Sequence, residues 1–254
     1  MNDAMVAALV SGVVSLLVSF GGRLWEERRK RGDERLAARA RLDVHREPLL
    51  AAADGLGSRV SSIRNDGFLD YLTVPERRHT AIVGTSFRFA QFFGWIEITY
   101  GRFGYLRFVK DHSTTTVAKT LRAIARTLAQ DRLDRHNPAD FTTTQLMIWR
   151  EEQRAIGEAM RAEGEPPQCI SFNTFVRTYD ERFASWFSAF TDQLDPQSTP
   201  NSERLAKLQR LLAQLIQELD IDGLVVSCDD TGTVIEPRWA RPMMLGSVTS
   251  SSLP

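Results

Sequence analysis

Two glutamates lie among large apolar residues and are the side chains of this sequence best suited to acid–base chemistry. Glu97 lies between Ile96 and Ile98, and Glu152 shares a predicted helix face with Trp149. A carboxyl group in apolar surroundings has a raised pKa unless an arginine pairs with it, and catalytic acids use such raised values. Glu97 and Glu152 are therefore the catalytic candidates. The alternative is that both form structural salt bridges in an arginine-rich chain, which we favour because nothing in the sequence indicates a substrate.

A second group of carboxylates follows the spacing of a calcium-binding loop. Counting from Glu218, Asp220 and Asp222 fall at positions three and five, Gly223 at position six and Asp229 at position twelve, as in an EF-hand. That loop normally begins with aspartate, ends with a bidentate glutamate and is followed by a helix, and the sequence has none of these three features. A helix end closed by a left-handed Gly223 explains the segment better, so we expect no bound metal.

The sequence carries no other signature of catalysis or cofactor binding. Its four histidines are scattered, and none has a second ligand at a spacing that defines a zinc site. It contains no GxxxxGK[ST], GxGxxG or GxSxG segment, the usual marks of phosphate loops, dinucleotide sites and serine hydrolases. We therefore expect no cofactor, and we favour a binding module over an enzyme.

Four glycines interrupt the aromatic segment that contains Glu97, namely Gly84, Gly94, Gly101 and Gly104. Glycine costs about 1 kcal/mol relative to alanine in a helix interior, so its presence needs a reason. A hinge or a close ligand is one explanation. We favour close packing against a neighbouring helix, or a helix that simply ends near Gly101.

Helices must position these side chains, because helical periodicity runs through most of the chain. The folded body is predicted to begin near Pro48, at the first turn of a helix. One face of this helix carries apolar residues in alternating steps of four and three: Leu49, Ala53, Leu56, Val60 and Ile63. Residues 65–67, Asn-Asp-Gly, predict a turn at its end.

The most apolar segment of the body, residues 75–100, is predicted to be a central core helix that begins at Pro75. A second membrane span is the competing interpretation of its many aromatic side chains. Arg88 and Glu97 lie inside the segment, and each would cost about 2.5–3.5 kcal/mol near the bilayer centre. We therefore assign it to the core.

Further helices are predicted over residues 113–133, 149–160, 172–190 and 205–219. Residues 134–148 favour a loop with a short strand around Leu146–Ile148, and 195–200 a linker. The leucines of the last helix recur in steps of three and four, but the run is too short to establish a coiled coil, so packing within the bundle is expected. After Gly223, residues 224–228 and 233–235 predict a small C-terminal hairpin.

The first thirty residues have the pattern of a membrane anchor. Residues 4–20 carry no charge, and their number lies within the range of about 17–25 that spans a bilayer as a helix. The preceding MNDAM contains an acid and no base, which is atypical of a cleaved signal peptide. Because arginines follow the apolar run, the positive-inside rule places the N-terminus outside and the rest in the cytoplasm. The sequence predicts a single-pass signal anchor in the cell membrane over residues 1–22.

Two groups of residues in and beside this anchor have predicted roles at the membrane. Ala7, Ser11, Ser15 and Ser19 recur every four residues, and small residues at this spacing let two membrane helices associate. Such spacing also arises by chance in membrane helices, so a homodimer and a monomer both stay open. The second group favours the interface, where basic and tryptophan side chains are common, and comprises Arg23, Trp25, Arg28, Arg29, Lys30 and Arg31.

Composition restricts the remaining function classes. The chain has 254 residues with 32 basic and 32 acidic side chains, so its net charge is zero, and no overall positive field favours nucleic acid as a partner. Its two cysteines, Cys169 and Cys228, lie far apart and suit a reducing compartment. Residues 23–46 are charged on every side except at Leu36 and Leu42, which favours a solvated stalk.

Three segments resemble a group of hypothetical bacterial proteins that carry an N-terminal membrane helix followed by a helical domain. These segments are FFGWIEI at residues 92–98, WREEQRAIGE at 149–158 and CISF at 169–172. The resemblance implies the same architecture over most of the chain. It implies no activity and no functional residue.

Together these patterns predict a mainly α fold with a transmembrane anchor (1–22), a charged stalk (23–46), an irregular cytoplasmic helical bundle (47–246) and a disordered tail (247–254). The favoured function is a membrane-tethered interaction or regulatory module with an unidentified protein partner. Two alternatives stay open. One is an effector whose anchor helices oligomerise and perturb the membrane, and the other is an enzyme that uses Glu97 and Glu152.

Overall fold

A computed structural model describes residues 42–101, 112–131, 145–220 and 237–240, together with the single residues 29, 33, 40 and 223. These parts of the chain are mainly helical, as predicted, and the extended pairing among them is one isolated antiparallel bridge between Arg161 and Cys169. The predicted anchor, hairpin and tail lie outside the described residues. The α-helices are α1 (42–65), α2 (Pro75–Gly101), α3 (His112–Ala129), α4 (Arg150–Ala159), α5 (Phe172–Arg182), α6 (Ala184–Thr191) and α7 (Glu203–Leu219).

Helix α1 buries the predicted apolar face, because each of its five predicted members is at most 1% exposed. The helix does not begin at Pro48, however. It already includes residue 42, and Leu42 is only 3% exposed. Leu42 lies two helical turns before Leu49 and so extends the same face, which means that core packing starts inside the segment predicted as stalk.

A tight turn joins α1 to α2, as predicted. Gly67 has φ of 65°, a left-handed conformation that favours glycine. A 3₁₀ helix, Phe68–Thr73, then leads to Pro75. The guanidinium carbon of Arg59 lies 3.8 Å from the centroid of the Phe68 ring, so a cation–π contact holds this connection against α1.

Helix α2 is the central core helix. Phe89 and Phe92 are fully buried on it, and it packs mainly against α4. No helix within the described ranges, α2 included, is both long enough and apolar enough to cross a membrane. The burial of Phe89 and Phe92 confirms the assignment of residues 75–100 to the core.

Helices α5 and α6 carry an aromatic cluster that packs against α2. The rings of Phe175 and Phe183 lie 4.4 Å apart between centroids, and Phe89 meets Phe190 edge-on at 4.9 Å. The sequence predicted one helix over 172–190, but the chain turns at Phe183, where φ is −126° and ψ is −33°. This break lets both short helices direct aromatic side chains into the core. It leaves other members of the predicted apolar face 39–46% exposed: Phe172, Val176 and Trp186.

Helix α7 packs against α3, and its leucines are buried within the helical bundle, as predicted. The five leucines from Leu205 to Leu219 in the three-four repeat are at most 1% exposed. Directly before Leu205 lies Arg204, which is also only 1% exposed and donates to three backbone carbonyls. Its Nε donates to Gln145 O at 2.9 Å and its Nη2 to Gln130 O at 2.8 Å, and its Nη1 donates to Thr127 O. Arg204 therefore fastens the end of α3 and residue 145 to α7.

The segment 237–240 closes the body across α1 and α7. Trp239 donates from Nε1 to Asp54 Oδ1 at 2.7 Å, and its carbonyl oxygen accepts from Ser61 Oγ at 2.9 Å and from Gln209 Nε2 at 3.1 Å. Its indole ring occupies the space that a Cβ atom on Gly57 would need. We refer to this set of contacts as the Trp239 clasp.

Candidate functional site

Two glycines allow α2 and α4 to approach each other closely. A Cβ atom built on Gly94 would lie 2.7 Å from both Met160 Cβ and Cys169 Sγ, and one built on Gly157 would lie 2.6 Å from Glu97 Cγ. Real Cβ atoms do not come this close to other atoms. The packing explanation for Gly94 is therefore confirmed.

A cavity of about 630 Å³ lies beside this crossing, between α2, α3 and α4. Four residues of α2 line it at helical spacing, namely Phe93, Ile96, Glu97 and Tyr100. Leu121, Arg122 and Ala125 line it from α3, and Arg150, Glu151, Gln153 and Arg154 from α4. The walls thus combine an apolar face with a set of charged groups.

Glu97, one of the two predicted catalytic residues, lines this cavity and is half-buried. Burial raises the pKa of its carboxyl group above the ordinary 4.5, while the charge of Arg154 acts in the opposite direction. Glu158 adds to the rise and Arg161 opposes it. Glu97 therefore holds its proton to higher pH than an exposed glutamate does.

Glu152, the other predicted catalytic residue, caps α4. Its Oε2 accepts a hydrogen bond of 2.6 Å from the backbone N–H of Trp149, three residues earlier. A glutamate at the third helical position commonly does this at a helix start. Glu152 is half-buried, as expected, whereas Trp149 itself is 59% exposed. The carboxylate that joins Glu97 at the cavity is the neighbouring Glu151.

Gln153 holds the start of α4 against α3 and so fixes one wall of the cavity. Its Nε2 donates to the carbonyl oxygens of Ala125 at 3.0 Å and Ile148 at 2.8 Å. The N–H of Ile148 in turn donates to Leu128 O at 3.0 Å. Residues 145–149 contain no strand, in contrast to the prediction, because these bonds and a left-handed Leu146 with φ of 58° fold them back onto α3.

The other predicted site residues lie elsewhere or outside the described residues. Asp220 directly follows α7, and Gly223 has the predicted left-handed conformation with φ of 67°, whereas Asp222 and Asp229 are not described. In the described part of the chain, no group of three histidine, cysteine, aspartate or glutamate side chains could hold a metal ion. Of the predicted membrane residues only Arg29 is described, and it is helical and exposed.

The cavity has the properties of a small-molecule binding site. Such sites occupy about 300–1,000 Å³ and combine mostly apolar walls with a few polar groups that orient the ligand. Comparison of the chain with family models, curated proteins and solved structures finds no match. Sequence reasoning identified Glu97 but missed Arg122 and Tyr100, although the i, i+3, i+4, i+7 spacing of Phe93, Ile96, Glu97 and Tyr100 marks a common helix face.

Replacing Glu97 by glutamine is expected to stabilise the protein at pH 7. Because the folded pKa of Glu97 lies above its unfolded value, the wild-type protein loses stability as the pH rises through 4.5 towards the folded pKa. Glutamine has no proton to lose and avoids this penalty. The melting temperature of Glu97→Gln should exceed that of the wild type at pH 7, and the difference should vanish below pH 4.5.

The exposed Glu163 gives the control for this measurement, since Glu163→Gln removes a surface carboxylate outside the cavity. It should change the melting temperature little at either pH. A Glu97→Gln variant that is less stable than the wild type at pH 7 would contradict the assignment of a destabilised carboxylate.

Proposed function

We propose that the chain is a membrane-tethered regulatory module whose helical domain responds to a small ligand bound between α2, α3 and α4. The observation that carries this proposal is the cavity of about 630 Å³ with its apolar face and its ring of charged side chains. Its volume and mixed lining suit a ligand rather than solvent alone.

Binding at this position would couple the ligand to the stability of the whole helical domain. The cavity is lined from three helices, and α3 and α4 are joined at the cavity by Gln153. A ligand that binds only the folded form stabilises it by about 2.7 kcal/mol at a hundred times its Kd. A protein partner that recognises this domain would therefore meet a more rigid surface when the ligand is present.

The membrane part of the proposal is supported by the uncharged run at residues 4–20 and the arginines that follow it. This arrangement would hold the helical domain at the cytoplasmic face. Association of two anchors through Ala7, Ser11, Ser15 and Ser19 would then bring two helical domains side by side.

Two charges placed in the anchor should release the full chain from the membrane. The double variant Val13→Arg/Leu17→Arg would cost about 2.5–3.5 kcal/mol for each arginine near the bilayer centre. After expression of the full chain in bacterial cells, we expect the wild type to stay in the membrane pellet during alkaline carbonate extraction. The double variant should appear in the supernatant.

The control is Leu36→Arg, which adds a charge in the predicted stalk and should leave the protein in the pellet. Extraction of the wild type by carbonate would contradict the proposal that the chain is tethered to the membrane. Ligand binding in the cavity does not depend on this result, so the two parts of the proposal can fail separately.

A further inference from the structure

Positive charge predominates on the wall of the cavity. Three arginines, Arg122, Arg150 and Arg154, line it together with two glutamates, which leaves one positive charge when all five groups are ionised. The Nε atom of Arg154 donates to Glu158 at 2.9 Å, but the Arg154 side chain is 72% exposed, and such surface pairs contribute little energy. The half-buried Arg122 is the arginine best placed to bind an anion within the cavity.

Tyr100 lies on the same wall of the cavity, and its hydroxyl oxygen is buried. Burial raises the pKa of its phenol, and the charge of Arg122 acts in the opposite direction, which places the two groups near each other. The phenol is therefore protonated at neutral pH. The guanidinium of Arg122 lines the cavity and donates hydrogen bonds, which an oxyanion accepts.

An apolar face lies within the same cavity. Phe93 and Ile96 of α2 and Leu121 of α3 line it, and Ala125 leaves space beside Leu121 because its side chain is small. A ligand must cover this face to gain from its burial, since transfer of apolar surface out of water is the main favourable contribution to binding at such sites.

We propose that the cavity binds an amphipathic organic anion, with a phosphate or carboxylate group on Arg122 and an apolar chain against Phe93, Ile96 and Leu121. This inference rests on the proposed ligand-responsive function and names the class of its ligand. A cationic ligand would meet the net positive charge that three arginines and two glutamates leave. A neutral apolar ligand would desolvate the arginines without replacing their hydrogen bonds to water.

The test uses the full chain in phosphatidylcholine nanodiscs and three probes with the same eight-carbon chain: octyl phosphate, octanol and octylamine. Isothermal titration gives Kd for each probe. We expect octyl phosphate to bind at least about tenfold more tightly than either of the others, because a hydrogen bond to a charged group contributes enough for a tenfold to hundredfold change in Kd.

Two variants connect this binding to the cavity. Ala125→Leu fills the space beside Leu121 and should abolish binding of octyl phosphate. The heat that remains when a probe is titrated into this variant measures partition of that probe into the lipid. Arg122→Gln should weaken octyl phosphate about tenfold to a hundredfold while leaving octanol unchanged. Their controls are Ala51→Leu on the exposed side of α1 and Arg126→Gln, an exposed arginine one turn further along α3 that does not line the cavity. Circular dichroism melting shows that each variant is folded.

The outcomes separate the ligand class from the function. If octanol or octylamine binds as tightly as octyl phosphate, and Ala125→Leu removes that binding, the anion assignment is overturned and the ligand-responsive function stands. If no probe binds the wild type more than it binds Ala125→Leu, both are overturned. Phosphatidic acid added to the nanodisc distinguishes the source of the anion. If it competes with octyl phosphate, the anion is a lipid headgroup. If it does not compete, the anion belongs to a soluble amphiphile.

Discussion

Replacement of Arg204 by methionine should lower the free energy of unfolding by about 3 kcal/mol or more. Methionine fills a similar volume but cannot donate, so the carbonyls of Thr127, Gln130 and Gln145 lose their shared partner. These acceptors belong to the backbone and remain in place after the substitution. Urea denaturation followed by circular dichroism measures the loss, which corresponds to a fall in melting temperature of about 6–12 °C for a domain of this size.

Two further substitutions on α7 test whether the loss of stability in Arg204→Met comes from the loss of these hydrogen bonds. Arg204→Lys retains the charge, but its compact ammonium group cannot reproduce the planar fork that reaches three carbonyls, so most of the loss should remain. Arg210→Met removes an exposed arginine from the same helix and should change stability by less than about 0.5 kcal/mol. Equal effects of Arg204→Met and Arg210→Met would show that the buried hydrogen bonds do not stabilise the fold.

Gly157→Val should destabilise the protein by about 3 kcal/mol, because it adds volume at the crossing of α2 and α4. Its Cβ would lie 2.6 Å from Glu97 Cγ and 2.8 Å from the carbonyl oxygen of Phe93. The second atom belongs to the backbone of α2, so α4 must move away as a whole. Thermal melting should show the loss, and titration with octyl phosphate should show weakened binding, since Phe93 and Glu97 also line the cavity.

Gly84→Ala provides a matched control of opposite sign on α2. A Cβ atom on Gly84 has its nearest neighbour, Arg59 Nη2, at 3.8 Å, which is an ordinary van der Waals contact. The alanine then increases helix propensity without a clash and should stabilise the protein by about 0.5–1 kcal/mol. Stabilisation by Gly157→Val as well would contradict the close packing of α2 on α4.

The helices that bury a regular apolar face could be predicted from the sequence. On α1 and α7 apolar residues repeat in steps of three and four, and the structure buries every predicted member of both faces. The break at Phe183 could not be predicted in this way, because neither proline nor glycine marks it. It depends on how the aromatic side chains of α5 and α6 pack against α2.

Local sequence patterns identified only part of the candidate site, because the neighbouring carboxylates Glu151 and Glu152 have different positions. Helix α4 begins at Arg150, so Glu152 is its third residue and can reach back to the N–H of Trp149. Neighbouring positions on a helix point about 100° apart, so Glu151 and Glu152 lie on different faces. Glu151 therefore lines the cavity and Glu152 caps the helix.

The donors contributed by other helices could not be found from local patterns. Arg122 belongs to α3, and its position near Tyr100 depends on how α2 and α3 pack. Arg204 likewise appears in the sequence as one of many arginines, and its three carbonyl partners lie between 59 and 77 residues away. Only the packed structure brings these groups together.

The Trp239 clasp has a consequence for folding during synthesis of the protein on the ribosome. Its hydrogen bonds join residues 178 and 185 positions apart, from Ser61 and Asp54 to Trp239. At about 5–20 residues per second, Trp239 is synthesised roughly 9–37 seconds after Asp54. The groove at Gly57 stays uncovered throughout that interval, so the clasp closes only after translation has passed Trp239. Products truncated before Trp239 therefore keep this groove open.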